Sequence, residues 1–191
     1  MSKRIRQIIA QSIAAKQALL EDEALLKTLC DVVDRAVSCY AGDGKLLFCG
    51  NGGSAADAQH IAAELSGRFY RDRPPLYAEA LHVNTSYLTA VANDYDFATV
   101  YARMVQAAGR EGDMLFALST SGNSPNVVEA AKQAREQGMI VVGLTGSSGG
   151  ELQHWVDFQL AVPTTDTPRI QECHILLGHI LCELLELKLF A

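Results

Sequence analysis

The chain has no continuous apolar run approaching the ~20 residues a bilayer-spanning helix needs, so no membrane span is expected. Its N-terminus, basic and then apolar, is broken by Gln7, Gln11 and Lys16, which removes the uninterrupted apolar core of a signal peptide. No two of its five cysteines stand in CxxC spacing. Cys30, Cys39, Cys49, Cys173 and Cys182 all fall within apolar patterns, so buried free thiols and a reducing cytoplasm are expected. Clustered basic charge is missing too: the formal net charge is −6, the wrong sign for a nucleic-acid surface. There is no GxxxxGK[ST] phosphate loop and no GxGxxG dinucleotide fingerprint. Repeats of solenoid period and low-complexity linkers are likewise absent.

What remains is a globular sequence of 191 residues, 49% apolar and 20% charged. One domain over 1–191 is expected, with a helical extension over 1–38 and an α/β core over 39–191. Helical periodicity runs from 3 to 38 with a break near Glu21 and Asp22. Short, largely apolar runs at 45–49, 78–83, 113–118, 139–144 and 158–162 read as strands, separated by helical patterns at 55–65, 85–91, 97–109 and to Glu136. Continuous apolar strands alternating with helices predict a parallel sheet covered on both faces. The last segment, 168–189, is apolar most of the way round, as are the N-terminal helices; such helices need cover on several sides, and a second copy of the chain would supply it.

Two loops would lie beyond the carboxyl ends of strands, where ligands of such sheets bind. Ser119, Thr120, Ser121 and Ser124 offer four hydroxyls in six residues, Gly122 lets the backbone come close, and the next helix presents free N–H groups. That chemistry suits a phosphate monoester; the plainer alternative is that Ser124 caps the helix and the other hydroxyls stabilise the turn. Asn51, Gly52, Gly53 and Ser54 occupy the same position after the first strand. On the following helix His60 and Glu64 share a face at i,i+4. Gln171, His174 and His179 lie on the C-terminal helix. Imidazole, carboxylate and carboxamide groups suit either a Zn²⁺ site or general acid–base chemistry. Gln171 and His179 are ~12 Å apart along an ideal helix and on different faces, so a metal holding both requires long reach, distortion or a neighbouring chain.

The run CGNGGSAADAQH from Cys49 to His60, with Glu64, Asn93, Asp94, the STSGNS loop from Ser119 to Ser124, and RIQECH from Arg169 to His174 with His179, resembles the phosphoheptose isomerase branch of the sugar-isomerase (SIS) family over essentially the whole chain. The resemblance implies a flavodoxin-like, doubly wound parallel sheet and a cytoplasmic homotetramer with active sites between subunits. It implies conversion of sedoheptulose 7-phosphate to D-glycero-D-manno-heptose 7-phosphate, the first step towards lipopolysaccharide core heptose. It implies one Zn²⁺ held by His60, Glu64, Gln171 and His179, with Glu64 and His179 as the catalytic pair. Substrate contacts are implied for Asn51, Gly52, Gly53, Ser54, Glu64, Arg68, Asn93, Asp94, Ser119, Thr120, Ser121, Ser124 and Gln171. A family relative that binds the bacterial replication initiator lacks the catalytic Glu and His, which are both present here. A phosphosugar sensor or an isomerase of another phosphosugar is the other alternative.

Overall fold

The computed structural model describes residues 1–190. Two helices lead, α1 (Ser2–Leu20) and α2 (Glu23–Ala41), and they part where Asp22 accepts a hydrogen bond from Leu25 N at 3.0 Å. Then follow β1 (Leu46–Gly50), α3 (Gly53–Ser66), β2 (Ala78–Ala80), α4 (Thr85–Asp94), α5 (Val100–Ala108), β3 (Met114–Leu118), α6 (Pro125–Glu136), β4 (Ile140–Gly146), a 3₁₀ turn (Glu151–Trp155), β5 (Phe158–Val162) and α7 (Thr167–Leu189). All strand pairs are parallel, in the order β2-β1-β3-β4-β5. That is the flavodoxin-like order, and the chain reverses its winding between β1 and β3.

β1 and β3 are buried along their whole length, which explains their unbroken apolar runs. Successive side chains alternate between the faces. Phe48 stacks on Phe116 at 4.8 Å and joins the core under α2, α3 and α7; Leu47 and Cys49 join the core under α5 and α6. The predicted strand at 78–83 is shorter, because the chain turns after Ala80 to reach Asn84, whose side chain caps α4 by accepting from Tyr87 N at 3.0 Å. The cysteine expectation needs one correction. Cys39, Cys49, Cys173 and Cys182 are buried, but Cys30 lies on the outer face of α2 and is exposed. No described helix is long and apolar enough to cross a membrane.

His174 is a core residue. It is fully buried on α7 with Nε2 3.2 Å from the Thr145 carbonyl. Burial lowers its pKa to about 4, against a smaller upward pull from that carbonyl. A depressed imidazole pKa contributes stability that is present above the unfolded value of 6.5 and lost as pH falls through the folded one. The stability gap between the parent and His174→Gln is therefore expected to shrink by about 3 kcal/mol between pH 7 and pH 4. Parallel denaturation curves across that range check it, and a constant gap would refute it.

Candidate active site

The loops after β1 and β3 flank the point where the winding reverses, which is where such sheets bind ligands. The serine loop is braced rather than free. Gly146 N donates to Thr120 O at 2.9 Å, Leu152 N to Gly122 O at 2.9 Å, and Glu151 N to Asn123 Oδ1 at 2.9 Å. Gly122 has φ +69°, and a Cβ there would lie 2.0 Å from the Gly149 carbonyl oxygen, so only glycine fits. Ser124 is the N-cap residue of α6 but makes no capping hydrogen bond; its hydroxyl faces that of the buried Ser119 at 2.9 Å. The structure therefore disfavours reading Ser124 as a mere cap. Pro125 has no N–H, and the N–H groups of Val127 and Val128 both turn back to the Ser124 carbonyl at 3.1 and 3.0 Å, so in this first turn the Asn126 N–H is the one left for a ligand. Ser121 does serve the turn, accepting from Asn123 N at 3.1 Å. Thr120 and Ser121 also line a cleft of ≈ 210 Å³ together with further hydroxyls, including Ser147, Ser148, Thr164 and Thr165.

The glycine loop turns at Gly52, φ +55°, into the N-terminus of α3. Ser54 is buried against Gly50. Asn51 and Asn126 exchange two side-chain hydrogen bonds, at 2.8 and 2.9 Å, which tie this loop to the first turn of α6. Sequence reasoning missed Asn126, because nothing in the spacing pairs it with a residue 75 positions away.

His60, Glu64 and His179 come together within one chain. Glu64 Oε1 is 3.0 Å from His60 Nε2, which is 3.5 Å from His179 Nε2, and the three ligand atoms lie within 4.8 Å of one another. The seam between α3 and α7 makes this possible. A Cβ on Gly178 would stand 2.3 Å from Ile61 Cδ1, so its absence allows the close approach that sets His179 beside His60. Tetrahedral zinc, with bonds of ~2.0–2.1 Å, needs ligand atoms roughly 3.4 Å apart. The observed spacings and the two-imidazole, one-carboxylate donor set fit such an ion. No second subunit is required to bring these three together. Gln171, two turns earlier on α7, packs its carboxamide against Gly53, an added Cβ there meeting Nε2 at 2.5 Å.

The remaining expected residues are exposed. Asn93 donates to Asp94 at 3.0 Å at the exposed end of α4, and Arg68 is exposed just past α3. Asp57, one turn before His60, carries a buried Oδ2 without a hydrogen-bond partner. Burial raises its pKa to about 6, with His60 pulling the other way. The i−3 position relative to His60 was the only signal in the sequence that could have found it.

A parallel α/β sheet with hydroxyl-rich and glycine-rich loops at its switch point has the architecture of a phosphosugar-binding SIS domain, and residues 8–146 match the SIS domain family. A phosphoheptose isomerase of Mycobacterium tuberculosis is 52% identical over 190 residues, covering 100% of this chain and 97% of that protein. Solved phosphoheptose isomerases from Neisseria gonorrhoeae (45% identity, TM-score 0.91, 97% and 98% of the two chains) and Francisella tularensis (38%, TM-score 0.93, 97% of each) superpose over nearly the full length. The chain belongs to the phosphoheptose isomerase family and is an isomerase.

Proposed function

We propose that the chain converts sedoheptulose 7-phosphate to D-glycero-D-manno-heptose 7-phosphate through a cis-enediol, as one domain spanning 1–191. The convergence of His60, Glu64 and His179 beside two anion-suited loops carries this reading. Ser119, Thr120, Ser121 and Ser124, with the N-terminus of α6, hold the phosphate. Asn51, Gly52, Gly53, Ser54 and Gln171 bind along the start of α3; Asn93, Asp94 and Arg68 serve the sugar hydroxyls. With the ring open, Glu64 takes the proton from C1 and returns it to C2. His179 serves the oxygens, and the hydroxyl proton passes from O1 to O2. Only Glu64 Oε1 faces His60, which leaves its second oxygen for the carbon-bound proton.

Zinc held by His60, Glu64, Gln171 and His179 would supply Lewis acidity at the C1 and C2 oxygens. Incubating the protein with sedoheptulose 7-phosphate tests the whole reading. Chelation is expected to lower the rate on the order of 10²-fold, and added Zn²⁺ to restore it. No turnover with metal present would refute the activity; full turnover after verified metal removal would refute the metal's part.

The exposed Ile5, Ile8, Ile9, Ile13 and Leu20 on α1 support assembly into a homotetramer. Five free thiols support a cytoplasmic setting, where the product would feed heptose into lipopolysaccharide core.

A further inference from the structure

The segment between α3 and β2 is held by a buried ion pair that the reaction itself does not use. Arg73 and Glu186 side chains are each 2% exposed, with Arg73 Nε 3.1 Å from Glu186 Oε1. Glu186 also accepts from the backbone N–H groups of Phe69, Tyr70 and Arg71 at 2.9–3.0 Å. Arg73 donates to the carbonyls of Glu64 (3.0 Å), Leu65 (2.6 Å), Gly67 (3.2 Å) and Pro74 (3.2 Å). The last carbonyls of a helix have no partner within it; here a guanidinium takes two of those of α3, belonging to Glu64 and Leu65.

The same pair reaches the other half of the cluster. Phe69, its N–H fixed by Glu186, lays its ring against His179 with centroids 5.6 Å apart and planes 29° from parallel. Glu186 stands seven residues after His179, on the same face of α7. A buried ion pair is weak evidence for stability, since burying both charges costs about what their attraction returns. Its geometric consequence is specific, because it fixes the helix end that carries Glu64 and the ring that rests on His179.

We propose that Arg73 and Glu186 are positioning residues for the isomerisation, acting through the Glu64 backbone on one side and through Phe69, the platform for the His179 ring, on the other. This rests on reading Glu64 and His179 as the reacting pair. Neither Phe69 nor the ion pair belongs to the serine loop, so ground-state phosphate binding does not depend on them.

The test uses Phe69→Leu, Phe69→Tyr, Glu186→Gln and Arg73→Lys in the full chain. Phe69→Leu and Glu186→Gln are expected to lower kcat by roughly 10–100-fold, with KM for sedoheptulose 7-phosphate nearly unchanged. Phe69→Tyr, which keeps the ring, is expected to retain most of the rate. Arg73→Lys keeps the charge but loses the fork, and is expected to behave like Glu186→Gln. A second readout needs no substrate. The His179 imidazole proton resonances, assigned by their loss in His179→Gln, are displaced by the Phe69 ring current. That displacement should vanish in Phe69→Leu and Glu186→Gln and persist in Phe69→Tyr. Should the ion-pair variants fail to fold, Phe69→Leu leaves the pair intact and decides the matter. Parental kcat in folded Phe69→Leu, or unmoved His179 resonances in it, would overturn the proposal. A parent inert towards the sugar phosphate would instead refute the functional reading, and the resonances would still decide the positioning.

Discussion

Glu64→Gln is expected to lower kcat by about 10²–10⁴-fold, the usual contribution of a positioned proton-transfer group, while leaving KM and thermal stability close to the parent's. The carboxamide has the shape of the carboxylate but cannot accept the C1 proton. Its side chain is 26% exposed, and its one described side-chain partner is His60, so the fold does not rest on it. His179→Gln should show a comparable loss, because Gln can hydrogen-bond but cannot cycle a proton near neutral pH. Loss of metal could imitate both results, so metal content must be measured alongside the rates. His60→Gln supplies the contrast: His60 has a proposed role only as a ligand, and its defect should be relieved by excess Zn²⁺. Relief of Glu64→Gln by the same treatment would remove Glu64 from proton transfer. A folded, metal-loaded Glu64→Gln protein with a near-parental rate would refute the assignment outright.

Gly122→Ala is expected to raise KM for the sugar phosphate by on the order of tenfold to a hundredfold, and to destabilise the chain by about 1–3 kcal/mol. Two penalties coincide at this residue. Its φ of +69° lies in the left-handed region that side chains disfavour, and the added methyl would meet the Gly149 carbonyl carbon at 2.5 Å as well as its oxygen. Backbone cannot swing aside as a flexible side chain can. Gly150, packed back against Ser121 O at 2.5 Å from its own absent Cβ, prevents the partner loop from retreating alone. The serine loop must open, which would pull apart Ser119, Ser121 and the Asn126 N–H, the groups proposed to hold the phosphate. Substrate titration and denaturation of the same preparation test both parts. A folded Gly122→Ala protein with unchanged KM would show that the loop's closed shape is not what binds phosphate.

Much of this was legible in the primary structure because its causes are local. The apolar runs of β1 and β3 are continuous since both strands are buried on two faces, and the break between α1 and α2 shows as an N-capping Asp22. The serine loop announces itself by composition, and His60 with Glu64 by helical spacing. Cys30 misled because an apolar neighbourhood in sequence does not say which face of α2 a residue occupies. The end of β2 misled because a cap at Asn84 competes with the strand for the same few residues.

The sequence by itself determined the strand–loop–helix grammar, a parallel sheet covered on both faces and the chemistry available at each loop, all of which follow from patterns within about a dozen residues. The flavodoxin-like class came from the family resemblance of its motifs. Only the tertiary structure decided that His179 meets His60 within one chain, that Asn51 and Asn126 lock the two loops together, and that Arg73 and Glu186 tie the end of α3 to α7. Each of those depends on residues 75 to 119 positions apart. Such contacts are set by how closely helices can approach, as at Gly178 against Ile61, and no periodicity along the chain encodes that distance.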